Sequence, residues 1–177
     1  RMERQREINA IIEQRAEGVD LDVDAEAWPS WFRTISEQNR RLGALPATGG
    51  NRAELIGDYQ ASIDRMAADL DLAERFVHVE FFIVAFDDTT RGFFAAMERA
   101  VQRGVTVRLL MDHIASAKVP IHKETVAELD RIGVIWRYLL PVQPFKGHYQ
   151  RPDLRNHRKL VVVDGRIAYT GSQNLID

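Results

Sequence analysis

The sequence predicts an α/β fold, a mixed β-sheet flanked by helices, with a helical extension at the amino terminus. Apolar residues recur at three- and four-residue spacing in segments that alternate with short apolar runs, which is the pattern of helices connecting strands. Short crossovers of this kind give parallel strands with right-handed connections. A later Asp-Gly turn between two β-rich runs adds an antiparallel pair and makes the sheet mixed.

Size, charge and cysteine content narrow the class of protein. The chain has 177 residues, enough for one domain with a sizeable core. Its net charge is −2 and its pI about 6.2, so we expect no nucleic-acid partner. Without cysteine there is no disulfide framework and no thiolate chemistry. The longest apolar run, residues 81–86, is far shorter than the roughly 20 residues that a membrane helix needs.

Residues 1–44 form the predicted helical extension. Isoleucines share one face of a helix over residues 1–18, and an acidic linker follows. The aromatic cluster Trp28–Phe32 opens a second helix, and we expect it to pack in a core, with a membrane-interface anchor as the alternative. Residues 45–51 are rich in turn-forming residues, which indicates a loop at the start of the main domain. We place this domain at residues 45–177.

The main domain alternates helices with strands. Its first helix begins at Asp58, and two further helices end at Gly104 and Gly133. A long loop over residues 140–154 follows, and its length indicates a functional or mobile segment. The predicted strands between these elements are Val77–Phe86, Val105–Met111 and Val134–Tyr138.

The most informative stretch is a predicted hairpin near the end of the chain. Val161–Val163 are β-branched, Asp164-Gly165 is a strong two-residue turn, and the strand resumes at Ile167. Because side chains alternate along a strand, His157 and Lys159 share one face about 7 Å apart. Asp164 is at an odd offset from His157, and the turn explains it without any chemistry.

An imidazole beside a fixed ammonium suits a phosphate. The imidazole can attack phosphorus or move a proton near neutral pH. The ammonium neutralises charge on the phosphoryl oxygens. The pair therefore predicts phosphodiester chemistry or phosphate binding at this hairpin.

The same residues spell H-x-K-x-x-x-x-D followed by G-S-x-N, which resembles the HKD motif of the phospholipase D superfamily. The longer string Asp153–Asn174 is similar to the first HKD motif of bacterial cardiolipin synthases. Residues 51–112, with the segments Glu80–Ile83 and Arg103–Asp112, are similar to the amino-terminal half of those enzymes. The chain starts without an initiator methionine, and we expect residues 45–177 to be the first HKD half-domain, truncated at its carboxyl end, of a longer protein.

The resemblance implies roles for several of these residues. His157, Lys159 and Asp164 form the catalytic motif, with Asp164 as its structural member rather than the proton donor. Asn174 is expected to bind the phosphate oxygens, with Ser172 supporting the site.

Three further residues are candidates on their own chemistry. Arg155 could bridge the phosphate with its guanidinium fork, the alternative being an ordinary surface position. Glu80 lies in an apolar run, so its carboxylate must be paired or lie at the sheet end, and we expect it to support the site indirectly. Asp112 ends a predicted parallel strand, where α/β sheets place their sites, yet a helix N-cap explains it equally.

The remaining histidines give no sign of a metal site. His113, His122 and His148 lack defensible metal-ligand spacing, so we predict that they are packed or solvated. The resemblance likewise implies that lysine and asparagine neutralise the phosphate, with no metal and no cofactor.

The activity implied by the resemblance is phosphatidyl transfer through a phosphohistidine. Two phosphatidylglycerol molecules give cardiolipin and glycerol; one motif's histidine attacks and the other's moves the proton, and which role His157 takes stays open. The implied partners are phosphatidylglycerol and other anionic phospholipid, the membrane surface through the full-length protein, and a second HKD half-domain from the same chain or a symmetric copy. The implied location is the cytoplasmic side of the bacterial plasma membrane.

Two other readings of the motif remain. One is a hydrolytic phospholipase D, phosphodiesterase or nuclease of the same superfamily, because these residues do not determine whether water or an alcohol is the acceptor. The other is a non-catalytic half-domain that binds lipid phosphate without turnover.

Overall fold

The structure is a computed structural model of the 177-residue chain. It describes residues 7, 10, 11, 14, 26–42, 47–142 and 155–177. The chain divides into two compact units, residues 1–55 and 56–177. The predicted helix over residues 1–18 and the predicted loop over residues 140–154 lie largely outside the described residues. The predicted boundary after residue 44 also falls outside them and stays a prediction.

In the first unit, helix α1 spans Ser30–Arg41. None of its residues is buried, and Trp31 is 64% exposed. Its aromatic rings pack edge-on against one another, with Phe32 4.9 Å from Trp28 and 5.7 Å from Trp31 between ring centroids. The prediction that this cluster packs in a core is therefore wrong. No described helix of the chain is long and apolar enough to cross a membrane.

The second unit contains a five-stranded mixed sheet in the order β3-β2-β1-β4-β5. Strand β1 pairs in parallel with β2, and β2 with β3, whereas β4 runs antiparallel to both β1 and β5. The predicted α/β class and mixed sheet are confirmed. The strands are β1 Phe76–Phe81, β2 Thr106–Asp112, β3 Ile135–Leu139, β4 Leu160–Val163 and β5 Ile167–Thr170.

Four helices of this unit connect the parallel strands or precede them. Two of them end at the predicted stops, Gly104 and Gly133, whose φ angles of 84° and 78° favour glycine. A short helix follows β2 directly and confirms the alternative of a helix N-cap at Asp112, whose carboxylate accepts a capping hydrogen bond from the Ala115 N–H at 2.9 Å. The helices are α2 Tyr59–Asp71, α3 Arg91–Gln102, α4 His113–Ala117 and α5 His122–Arg131.

One face of the sheet forms the core. Side chains alternate along β1, so Val77, Val79 and Phe81 are buried while His78 is exposed and Glu80 is half-buried. The buried side chains join one hydrophobic cluster with residues of α2 and α3. The side chain of Glu80 therefore lies on the opposite face of the sheet from the core.

Strand β1 is shorter than predicted. It ends at Phe81, the chain bends at Phe82, and Val84 then forms a parallel bridge with Leu175. The Leu175 N–H donates to the Ile83 carbonyl at 3.1 Å, and the Leu175 carbonyl accepts from the Ala85 N–H at 2.8 Å. The apolar run continues past the strand because this distant segment satisfies its backbone groups.

The hairpin turn holds one residue more than predicted. Asp164 and Gly165 adopt φ angles of 54° and 72°, as an Asp-Gly turn requires. The register pairs Val163 with Ile167, however, so three residues rather than two separate the paired strands.

Candidate active site

His157 and Lys159 lie just before β4, which begins at Leu160. The Lys159 Nζ is 2.8 Å from Nδ1 and 3.1 Å from Nε2 of His157, and it donates to the His157 carbonyl at 2.9 Å. The two groups are thus in direct contact, closer than the roughly 7 Å between alternate residues of a strand. Because this segment lies outside the strand ladder, the lysine side chain can curl back to the imidazole.

Lys159 is buried, with 3% of its surface exposed, whereas His157 is exposed. Burial lowers the pKa of the Lys159 ammonium. No carboxylate of the described residues forms an ion pair with it; its Nζ contacts His157 and lies 5.5 Å from the centroid of the Phe82 ring. A buried cation without a counter-ion is costly, so an anion bound beside His157 would offset this cost.

Phe82 contributes to the site through the bend after β1. Its ring centroid lies 4.6 Å from that of His157, so it supports the imidazole as well as the lysine. The sequence did not indicate a role for Phe82, because its apolar run predicts one ten-residue strand that includes it. Ten residues are nearly twice the usual length of a strand, and this length was the sign in the sequence of a bend.

Asn174 is anchored to the same bend. Its Oδ1 accepts from the Ile83 N–H at 3.2 Å, and its backbone carbonyl accepts from the Tyr59 hydroxyl at 3.0 Å. The Tyr59 hydroxyl also contacts the Ile176 carbonyl. With Oδ1 turned to the backbone, the Asn174 amide nitrogen has no acceptor among the described residues, and its binding of a phosphate oxygen stays a prediction.

Ser172 is exposed and makes no hydrogen bond within the described part of the chain. No hydrogen bond of the described structure therefore joins it to His157 or Lys159. Its supporting role stays a prediction.

Asp164 lies at the far end of β4 from His157. Its carboxylate accepts from the backbone N–H groups of Glu74, Arg75 and Phe76 at 2.8, 2.9 and 2.9 Å. These hydrogen bonds, the one from Glu74 foremost, hold the pKa of Asp164 below its ordinary value. The carboxylate thus ties the β4–β5 turn to the start of β1, which suits the structural role predicted for it.

Glu80 reaches the site through Asn156. The Asn156 amide donates to Glu80 Oε1 at 2.6 Å, and its own oxygen accepts from the Arg158 N–H at 3.2 Å. This contact places the residue before His157 against β1. Asn156 was not recognised as a site residue from the sequence. The sign of it was Glu80, because a carboxylate within an apolar run needs a hydrogen-bond partner.

Arg155 pairs with Asp112 instead of lying free on the surface. Its Nε and Nη2 both contact Asp112 Oδ2 at 2.7 Å, and Nη2 lies 3.5 Å from the Leu139 carbonyl. The Arg155 side chain is 12% exposed and Asp112 is fully buried. Asp112 is therefore both the N-cap of α4 and the anchor of Arg155. Phosphate binding by Arg155 stays a prediction, and Nη1, buried without a partner in the described structure, is the nitrogen left for it.

Two of the other histidines flank a tyrosine. His122 Nε2 is 2.8 Å from the Tyr138 hydroxyl, and the His113 ring centroid lies 4.5 Å from that of Tyr138. Burial, with a smaller contribution from His113, lowers the pKa of His122. The described residues contain no group of three or more histidines and carboxylates placed to hold a metal. His148 lies outside the described residues, and metal-free chemistry stays a prediction.

Comparison with known proteins gives a consistent result. A family model described as cardiolipin synthase, PLD-like domain, matches residues 66–177. Cardiolipin synthase A of Pectobacterium atrosepticum is 29% identical over 175 residues, which cover 86% of this chain. A cardiolipin synthase of Clostridium perfringens is 30% identical over 131 residues, 73% of this chain. The chain spans 36% of the length of the first protein and 26% of the second.

Among solved structures, NucT from Helicobacter pylori superposes with a TM-score of 0.50 and 15% sequence identity. The match covers 66% of this chain and 69% of that one. At this identity the likeness concerns the fold alone, and it agrees with the mixed sheet and its flanking helices.

Proposed function

The chain belongs to the family of phospholipase D-like domains of cardiolipin synthases, and from that premise we propose that its protein condenses two phosphatidylglycerol molecules to cardiolipin and glycerol. The observation that carries the proposal is the buried ammonium of Lys159, in contact with His157 and without a counter-ion among the described residues. A phosphodiester anion that pairs with this ammonium would be held against an imidazole.

In the proposed reaction a histidine nitrogen attacks the phosphorus of phosphatidylglycerol. The bond from phosphorus to the headgroup glycerol breaks, and the glycerol oxygen takes a proton from a second histidine. A hydroxyl of a second phosphatidylglycerol then attacks the phosphohistidine and gives its proton back to that second histidine. The phosphorus–nitrogen bond breaks and cardiolipin is released.

His157 can fill either histidine role in this scheme. In both roles Lys159 neutralises the phosphoryl oxygens, and the Asn174 amide nitrogen donates to one of them. Because the reaction needs groups on both sides of phosphorus, the proposal includes a second half-site. None of the other four histidines has a lysine two residues later, so this half-site comes from further residues of the protein or from a symmetric copy.

Labelled phosphatidylglycerol presented to the full-length protein tests the proposal. Cardiolipin with free glycerol is the expected product. Phosphatidic acid alone would identify a hydrolase, and an unchanged substrate that remains bound would identify a binding domain. A single-stranded DNA oligonucleotide added to the same assay should stay intact, and its cleavage would identify a nuclease.

A further inference from the structure

A groove of about 570 Å³ lies next to the site, between the bend after β1 and the α4 segment. Its volume is within the usual range for small-molecule sites. The walls are predominantly apolar and are formed by Phe82, Ile83, Ile114, Val119, Pro120 and Ile176.

The groove and the candidate phosphate site share residues. Phe82 lines the groove and also contacts the His157 ring. Ile83 lines it, and its N–H holds the Asn174 side chain. The groove and the candidate phosphate site are therefore adjacent, with Phe82 and Ile83 common to both.

The charges around the groove favour an anionic ligand. Asp112 lines the groove, but its carboxylate is occupied by Arg155 and by the Ala115 N–H. Lys118 lines it and is exposed, so it adds a cation at the rim. The accessible polar groups are thus positive, while the walls offer few partners for the hydroxyl groups of a sugar or polyol.

We propose that this groove binds an acyl chain of the anionic phospholipid whose phosphate lies at His157 and Lys159. The inference rests on the proposed function and adds the apolar half of the substrate to it. An apolar chain gains from burial against these walls, whereas a glycerol headgroup would lose its hydrogen bonds to water there.

Two substitutions on α4, each replacing an alanine by tryptophan, test the groove. Ala115 lines it, and Ala115→Trp should fill it; Ala117, on the same helix, is exposed and outside the groove, so Ala117→Trp is the matched control. The probes are dihexanoyl phosphatidylglycerol below its micelle concentration and its deacylated form, glycerophosphoglycerol. Binding to the 177-residue chain is followed by NMR, through the methyl signals of Ile114 and Val119 and the amide signals around His157.

Dihexanoyl phosphatidylglycerol should shift the methyl signals of the groove and the amide signals of the site, and glycerophosphoglycerol only the latter. Ala115→Trp should lower the affinity for the acylated probe by about tenfold, which is about 1.4 kcal/mol, and leave the affinity for the deacylated probe unchanged. Ala117→Trp should alter neither. If Ala115→Trp fails to fold, Val119→Thr keeps the side-chain volume, introduces a hydroxyl into the wall and should weaken the acylated probe alone.

Three outcomes would decide against one or both proposals. If both probes bind with equal affinity and shift only the signals at His157, the proposal that the groove binds an acyl chain is wrong, whereas the proposed function is unaffected. Shifts in the groove without shifts at His157 would show that the groove binds acyl chains but not those of a lipid whose phosphate lies at His157, and would overturn the proposal as well as count against the phosphate site. No shift from either probe would count against both.

Discussion

The two residues that precede His157 each bind a carboxylate on a different strand. Asn156 binds Glu80 of β1, and Arg155 binds Asp112 at the end of β2. Together they fix the approach of the backbone to His157, which is itself exposed and outside the strand ladder. At the scale of single residues, the position of the imidazole therefore depends on groups that do not touch it.

Substitution of the motif residues should remove activity without removing the fold. His157→Ala in the full-length protein should abolish turnover because it removes the imidazole that attacks phosphorus or transfers the proton. Lys159→Met should also abolish it, with little loss of unfolding free energy, because it replaces a buried unpaired charge by an apolar chain. Lys159→Arg should be poorly active, since a planar fork does not replace a point charge. Phosphatidylglycerol turnover and circular dichroism measure the two effects, and activity above a few per cent in a folded His157→Ala variant would refute the assignment.

Glu80 should matter through its oxygen acceptor rather than its charge. Glu80→Gln keeps an oxygen for the Asn156 amide and should retain most activity, whereas Glu80→Leu should lower kcat about 10- to 100-fold with a smaller effect on KM. The control is Glu98→Leu, which breaks the ion pair with Arg131 on the helices α3 and α5. Equal losses for Glu80→Leu and Glu98→Leu, or no rescue by glutamine, would show that Glu80 does not position the site.

At the scale of elements, the sequence predicted the helix ends, which depend on local interactions, but not the bend and the turn length, which depend on distant residues. Gly104 and Gly133 end helices where the sequence places them, because a positive φ angle is a property of the residue itself. The bend at Phe82 was missed because it depends on Leu175, more than ninety positions away in the chain. The extra turn residue was missed because Asp164 is drawn to the backbone of residues 74–76 rather than to its own hairpin.

The Asp164 carboxylate should stabilise the second unit in a pH-dependent way. Its hydrogen bonds hold its pKa below the ordinary value, so its stabilisation is present above about pH 4 and is lost as the pH falls through the folded-state pKa. Asp164→Asn keeps an oxygen and tolerates the positive φ angle, and it should cost about 1–2 kcal/mol at pH 7.

Chemical denaturation between pH 7 and pH 3 measures this effect. The difference between the wild type and Asp164→Asn should shrink on acidification. Asp88→Asn is the control, because Asp88 is 97% exposed and its pair with Arg91 contributes little. A cost of Asp164→Asn that stays constant down to pH 3 would contradict the role given to the carboxylate.

At the scale of the whole molecule, the sequence motif predicted the pair His157 and Lys159, and the structure places them in contact. Phe82 and Asn156 could not be predicted with them, because their roles arise only when β1 and the segment before β4 come together. The exposure of Trp31 in the first unit was also unpredictable, since an amphipathic pattern indicates an apolar face but not what covers it.

Chelation should leave phosphatidyl transfer by the full-length protein unchanged. The buried Lys159 ammonium supplies the positive charge that a metal would otherwise bring to the phosphate. Turnover in excess EDTA, compared with an untreated sample on the same lipid vesicles, measures this. Loss of turnover that one divalent ion restores would refute metal-free chemistry.

The 177-residue chain should not transfer phosphatidyl groups as an isolated monomer. Two-step transfer needs a nucleophile on one side of phosphorus and a proton donor on the other, and His157 can supply only one of them. We favour a second half-site in the same protein over a symmetric dimer, because the resemblance is to enzymes with two motifs in one chain. The purified chain should show no turnover at any concentration, whereas a protein extended through a second H-x-K-x-x-x-x-D motif should be active. Turnover by the chain alone that rises with the square of its concentration would mean that two copies complete the site through a self-complementary surface.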